Sequence, residues 1–261
     1  MKKIIVAILL IAILIPLIIV GGNIFNIAIG LICAMAYKEL TDVKKDKKIP
    51  EFIKVLGLIC LVYLVYVNNY NVNLPSIELW TLGVLLLIML VPVIFYNNKI
   101  KYNQDDAFSL IGIILLIGIS FNAILFIRGF SLKYFALVVL IPVLTDTFAQ
   151  IFGGLLGSHK LTKISPNKTW EGAIFGSLLS TFICSVIYYN FIGNASLGVA
   201  VCLIFIMTVA GQLGDLFFSY IKRINGVKDF SNLIPGHGGV LDRIDSFIFV
   251  VITFILLCNY L

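Results

Sequence analysis

Residues 108–127 read FSLIGIILLIGISFNAILFI, twenty positions without a charged side chain. A helix of that length rises about 30 Å, the thickness of a bilayer's hydrocarbon core. Working outward from it, eight further apolar stretches run over Ile4–Val20, Asn23–Tyr37, Phe52–Val67, Ile77–Tyr96, Tyr134–Phe152, Gly172–Ile192, Leu197–Phe218 and Ile244–Tyr260. Nine runs of this kind predict an all-α, polytopic integral membrane protein with about nine transmembrane helices. Composition agrees: 61% of the 261 residues are hydrophobic and 12% charged, whereas a soluble domain needs roughly 25% charged residues to wet its surface. The first run follows Lys2 and Lys3 and imitates a secretory signal, yet no small-x-small cleavage site follows Val20, so it reads as a retained helix. With no internal repeat and no long linker, residues 1–261 read as a single membrane domain. Residues 1–105 supply amino-terminal helices and a cytoplasmic loop, and 106–261 the helices and loops that carry the chemistry.

Short cytoplasmic loops collect Lys and Arg. If the amino terminus is cytoplasmic, Lys2, Lys3, Lys38, Lys44, Lys45, Lys47, Lys48, Lys54, Lys99, Lys101, Lys160, Lys163, Lys168, Lys222, Arg223, Lys228 and Arg243 share that side. That is 17 of the 19 basic residues, with Arg128 and Lys133 opposite. The net charge of +6 therefore serves topology and anion binding and forms no duplex-tracking stripe, which excludes nucleic acid as a partner. The five cysteines, Cys33, Cys60, Cys184, Cys202 and Cys258, all lie in apolar runs and read as small buried hydrophobes. The run from Lys38 to Lys54 alternates in sign and reads as a solvated loop or interfacial helix. Asp105 and Asp106 suit a helix amino terminus.

Three stretches break the apolar pattern. Asp146, flanked by Thr145 and Thr147, places a carboxylate inside a span. Such a group is costly unless it faces a cavity, a cation or a donor; a structural hydrogen bond to either threonine is the other reading. Residues 153–172 combine glycines, Ser158-His159-Lys160 and Ser165-Pro166-Asn167-Lys168-Thr169-Trp170-Glu171-Gly172. Backbone N–H groups, ammonium groups and hydroxyls together suit phosphate oxygens, although Pro166 to Glu171 also fits an ordinary helix start. The third stretch runs from Gly214 to Asp245. In a helix continuing to Arg223, Asp215, Ser219 and Lys222 share one face, and Asp242 and Asp245 share another at i and i+3. Carboxylates that close repel, and a divalent cation is the natural compensation. Oxygen donors without thiols point to magnesium, which keeps waters and bridges to substrate phosphates. His237, alone among glycines, reads as a phosphate or backbone donor ahead of a base or metal ligand.

The arrangement Ser219, Lys222-Arg223, Lys228-Asp229 and Pro235-x-His237-Gly238-Gly239-x-x-Asp242-Arg243-x-Asp245 resembles the signature of the phosphatidate cytidylyltransferase (CDP-diacylglycerol synthase) family. Residues 146–172 are similar to that family's second shared region, with Gln150 where members often carry Tyr and without the basic residues often found near Gly154 and Ser158. The resemblance implies a CTP-dependent nucleotidyltransferase of phospholipid biosynthesis. It condenses CTP with phosphatidic acid to CDP-diacylglycerol and pyrophosphate in the cell membrane, at the cytoplasmic face. It further implies Asp215, Asp242 and Asp245 as magnesium ligands, Asp146 as an additional ligand or a support to them, and a second cation left open. Lys222, Arg223 and Arg243 would hold the lipid phosphate or the CTP tail. Ser165, Lys168 and Glu171 would lie at the nucleotide, with Ser219, Lys228, His237, Gly238 and Gly239 also contacting substrate. Membrane lipid is a partner by necessity, and a homodimer stays open. Rival readings are another CTP-dependent lipid enzyme, such as a CDP-archaeol synthase or polyprenol kinase, and an ion-coupled transporter using Asp146 and Asp215. The Asp-Gly-x-x-Ala-Arg motif of CDP-alcohol phosphotransferases is absent.

Overall fold

The computed structural model describes residues 12–43, 49–67, 77–96, 102–193, 195–236 and 238–260. Among them helix is the only extended regular structure, joined by two isolated β-bridges, Lys160 with Thr169 and Ile234 with Gly238. The helices are α1 (described over 12–20), α2 (Gly22–Asp42), α3 (Glu51–Tyr66), α4 (Leu79–Phe95), α5 (Gln104–Phe130), α6 (Leu132–Leu156), α7 (Trp170–Phe191), α8 (Leu197–Ile224) and α9 (Leu241–Leu257), followed by a 3₁₀ turn, Cys258–Tyr260. A chain in hydrocarbon must satisfy its backbone internally, and helix does so within each segment.

The protein is an all-α polytopic membrane protein. Helices α2, α5, α6, α7 and α8 are each long and apolar enough to cross a bilayer. Nine crossings were expected; nine α-helices lie among the described residues, and α3, with 16 residues, rises only about 24 Å. α9 carries Asp242 and Arg243 in its first turn and Asp245 just after it, so its apolar run starts at Phe247. The chain divides into two compact units, one of residues 1–126 and 229–242, the other of 127–228 and 243–261.

In the first unit, α2 and α3 pair through a reciprocal device. Tyr37 Oη–H donates to the Lys54 carbonyl at 3.1 Å and lies over Gly57, while Tyr66 Oη–H donates to the Asn26 carbonyl at 2.7 Å and lies over Gly30. Each glycine leaves the room its opposite phenol fills, the small-residue packing that brings membrane helices together without a hydrophobic drive. Asn122 on α5 is 2% exposed, and its Nδ2 donates to the carbonyls of Leu64, Val65 and Val67 at 3.2, 2.9 and 2.9 Å. Those are orphan acceptors of the α3 carboxyl end. At the start of α5, Asn103 and Asp106 cap each other, each side chain accepting the other's N–H at 3.0 Å. Beside them the fully buried Tyr102 donates to the Met89 carbonyl at 2.8 Å. Burial, aided by the Asp106 charge, pushes its phenol up to about 12, so the donor persists at physiological pH.

The run from Lys38 to Lys54 was expected to be a solvated loop or an interfacial helix. It is helical to Asp42, and that part is buried rather than solvated at Glu39, 7% exposed, and Thr41, 5% exposed. Lys44 to Lys48 lie outside the described residues, as do Lys2, Lys3, Lys99, Lys101 and Asn68 to Asn73.

In the second unit α6 and α7 are the most intimate pair. Thr145 Oγ1 reaches Ser180 Oγ at 3.0 Å, and both hydroxyls lie within hydrogen-bond distance of the Ile141 carbonyl. Gly176 lies against Thr145 and Ala149. Gln212 ties α8 to α7, its Nε2 donating to the Ala173 carbonyl at 3.0 Å and to Ser177 Oγ at 2.7 Å. Gly211 and Gly214 let α8 approach α9 at Val250 and Phe249. Large side chains such as Leu155, Phe182 and Leu213 point outward, as lipid-facing positions should.

Candidate active site

In the second unit the close packing of α6, α8 and α9 carries three carboxylates into one neighbourhood. Asp146 (α6), Asp215 (α8) and Asp245 (α9) each lie within Coulombic range of the other two. Asp215 lies near the end of the apolar stretch of α8, and the predicted face exists: Ser219 Oγ–H donates to Asp215 Oδ1 at 3.2 Å, and Lys222 further along is 8% exposed. Lys222 Nζ stands 4.0 Å from Asp245 Oδ2. Asp245 Oδ1 also accepts the Ser246 N–H at 2.8 Å, and Ser246 Oγ–H donates to Asp146 Oδ2 at 3.2 Å. Lys168, delivered by the loop before α7, places its Nζ 2.5 Å from Asp215 Oδ2.

That loop folds back on itself. Leu161 N–H donates to the Lys168 carbonyl at 2.8 Å, Lys168 N–H to the Ser165 carbonyl at 3.1 Å, and Ser165 N–H to Thr162 Oγ1 at 3.3 Å. Thr169 caps α7 by accepting the Gly172 N–H. Ser165 thus shapes the turn that presents Lys168. Glu171 engages His159, with Oε1 2.6 Å from Nδ1 and Oε2 accepting the His159 N–H at 3.3 Å. Arg223 donates to the Val227 carbonyl at 3.2 Å and closes the turn after α8. Lys228 and Arg243 are exposed.

Asp242 belongs to the first unit, where its Oδ2 accepts N–H groups from Phe230 at 2.9 Å and Gly239 at 2.8 Å. Gly238 has φ +85°, open to glycine at little cost, and a Cβ there would fall 2.9 Å from that same Asp242 oxygen. His237 lies outside the described residues.

Of the residues singled out in the sequence, the second unit brings together Asp146, Lys168, Asp215, Ser219, Lys222 and Asp245. Sequence reading missed two neighbours of this cluster and, apart from it in the first unit, Glu39. Ser246 adjoins Asp245 and carried only the general signal of a hydroxyl beside a buried acid. His159 stood in the polar loop without a partner. Glu39 gave no signal at all, because its contacts are about 200 residues away.

The donors in the second unit are carboxylate and hydroxyl oxygens, with neither thiol nor imidazole in the cluster. That set suits a hard cation such as magnesium. Among the described residues no three His, Cys, Asp or Glu side chains converge at metal-holding spacing. Magnesium needs no such cage, since one or two carboxylates commonly hold it together with waters and substrate phosphates. Chemically the cluster is a place where polyanions can be neutralised, by two ammonium groups and by a cation on the acids.

A family model described as "Cytidylyltransferase family" matches residues 1–261. Proteins named phosphatidate cytidylyltransferase from Staphylococcus haemolyticus, Staphylococcus saprophyticus and Staphylococcus aureus are 35%, 36% and 34% identical to the chain over 248, 249 and 248 residues, in each case 94% of both chains. The resemblance drawn from Ser219 to Asp245 is borne out over nearly the whole length, and the chain belongs to the cytidylyltransferase family.

Proposed function

We propose that the protein condenses CTP with phosphatidic acid, yielding CDP-diacylglycerol and pyrophosphate. The family and the names of its relatives carry the reaction class; the observation that carries the site is the meeting of Lys168 and Lys222 with Asp146, Asp215 and Asp245. A phosphate oxygen of the lipid attacks the α-phosphorus of CTP, a new P–O bond forms, and the bond to the β-phosphate breaks to release pyrophosphate. The attacking oxygen is already anionic, so no strong general base is needed. The barrier is the mutual repulsion of two polyanions, lowered by positioning and by preorganised charge.

Lys168 beside Asp215 and Lys222 beside Asp245 supply that charge. Ser219 orients Asp215, and Ser246 orients Asp146. Asp215 and Asp245 are the carboxylates for magnesium, supported by Asp146; when bound, the ion would neutralise phosphate charge and align the reacting groups. Arg223, Arg243 and Lys228, exposed near the ends of α8 and α9, are placed for phosphate oxygens that arrive from water. Ser165, Glu171, Gly238 and Gly239 act mainly by shaping the two loops. We place this site at the cytoplasmic face of a multi-pass cell-membrane protein, because nine crossings with the amino terminus inside would put 17 of the 19 basic residues on that side.

The test is purified protein incubated with magnesium, phosphatidic acid and CTP labelled in the cytosine ring, scoring label in the organic phase. A lipid product carrying cytidine is expected. A labelled product formed only from γ-labelled nucleotide would identify a lipid kinase, and no lipid product at all would overturn the reading.

A further inference from the structure

We infer that Glu39, near the end of α2, is a positioning residue for the reaction: it sets the register at which α9 begins. This rests on the function proposed above. The side chain is 7% exposed and uses both carboxylate oxygens. Oε1 accepts the Ser231 hydroxyl at 2.6 Å and the Val240 N–H at 2.9 Å, and Oε2 accepts the Leu241 N–H at 2.8 Å.

Leu241 is the first residue of α9, so two of these donors are the orphan N–H groups that every helix start must satisfy. They are met by a carboxylate about 200 positions earlier in the chain, where its negative charge also faces the positive end of the helix. The neighbouring Gly239 N–H goes to Asp242 Oδ2. Three consecutive amides, of residues 239 to 241, are therefore fixed by two acids. The approach is tight: a Cβ at Gly239 would lie 2.6 Å from both Glu39 oxygens. Gly239 is needed for the acid to reach past it.

Asp242, Arg243 and, one turn on, Asp245 come directly after this clamp in the chain. A slip at Val240 and Leu241 would displace all three together. Glu39 itself touches none of the groups assigned to phosphate or metal, so its action is indirect.

The test compares wild type with Glu39→Gln and Ser231→Ala, reading steady-state kinetics and segment-resolved hydrogen exchange in detergent. Gln keeps the shape but turns an amide N–H₂ toward donors that need an acceptor. Glu39→Gln should exchange faster at Val240 and Leu241 while α6 and α7 stay as protected as in wild type. It should also lower kcat at least about tenfold, with a smaller change in KM for CTP, the scale on which misplaced reactive groups are felt. Ser231→Ala removes one of three bonds and should shift both readouts the same way by less. Unchanged exchange at Val240 and Leu241, or a wild-type kcat in Glu39→Gln, overturns the inference. If Glu39→Gln does not fold, Ser231→Ala decides, and its matching wild type in both readouts overturns the inference equally. Should the wild-type protein make no cytidine lipid, the functional reading fails, while the exchange data still judge the clamp.

Discussion

The Lys168 ammonium lies 2.5 Å from Asp215 Oδ2, bridging the loop before α7 to the middle of α8's polar face. Both side chains keep about a quarter of their surface exposed, 28% and 24%, and an ion pair that wet contributes at most about 1 kcal/mol to stability. On the function proposed above, the pair serves to place positive charge for the phosphates rather than to hold the fold. Lys168→Met should leave the thermal midpoint in detergent nearly unchanged while lowering kcat/KM for CTP at least about tenfold, or 1.4 kcal/mol. The double variant Lys168→Met with Asp215→Asn should be no better than either single. Recovery of activity in the double would reduce the pair to mutual neutralisation.

Helix contact in the second unit depends on the absence of side chains. A Cβ at Gly176 would fall 2.9 Å from the Thr145 carbonyl oxygen and 2.9 Å from Ala149 Cβ, whereas one at Gly154 would meet nothing within 4 Å. Gly176→Ala must move backbone and should cost about 1–3 kcal/mol, as overpacking does. Gly154→Ala should be neutral. Thermal unfolding of the two variants side by side checks this, and equal midpoints would show that α6 and α7 separate without penalty.

Asn122 holds three carbonyls with one amide group in the first unit. Asn122→Leu preserves bulk but strands buried acceptors at the end of α3, each worth about 1–3 kcal/mol when left without a donor. A lowered thermal midpoint is expected, with faster hydrogen exchange in the last turn of α3. A midpoint equal to wild type would mean that those carbonyls find other donors.

The sequence revealed whatever depends on short spacing. Asp215, Ser219 and Lys222 share a face because α8 runs on to Ile224, and Asp242 and Asp245 sit at i and i+3 because α9 starts at Leu241. Asp106 at the start of α5 was equally local, although its cap partner Asn103 was not singled out. Tertiary placement was hidden. Nothing near Glu39 distinguishes it from its charged neighbours, since the donors that bury it come from residues 231, 240 and 241. Asp242 shows the converse. It was singled out as a metal ligand from its spacing to Asp245, yet the backbone amides its Oδ2 accepts belong to a loop whose path no periodicity describes.

Topology offers a check independent of chemistry. Lys133, one of two basic residues assigned to the outer side, has its own reason to be there: its Nζ donates to the Phe191 carbonyl at 2.9 Å, at the carboxyl end of α7, where a cation is favourable. The connection from α7 to α8 should therefore be external and the loop before α9 internal. A cysteine at Ser196 should react with a membrane-impermeant maleimide in intact cells, and one at Asn232 only after lysis. The reverse pattern would invert the orientation.

Asp146 separates the two accounts of an acid inside a span. As a structural group it needs only an acceptor for the Ser246 hydroxyl, 3.2 Å away, and Asn supplies one. As a supporter of the cation it contributes charge, which Asn does not. Asp146→Asn should fold as wild type, with an unchanged thermal midpoint in the absence of divalent ions. In the CTP assay the magnesium concentration giving half-maximal rate should rise about 10- to 100-fold, the usual cost of removing a group that supports metal ligands. Saturating magnesium should restore much of the rate, because Asp215 and Asp245 are untouched. A half-saturation point equal to wild type would place Asp146 with Thr145 and Ser180 among the groups that hold α6 in position.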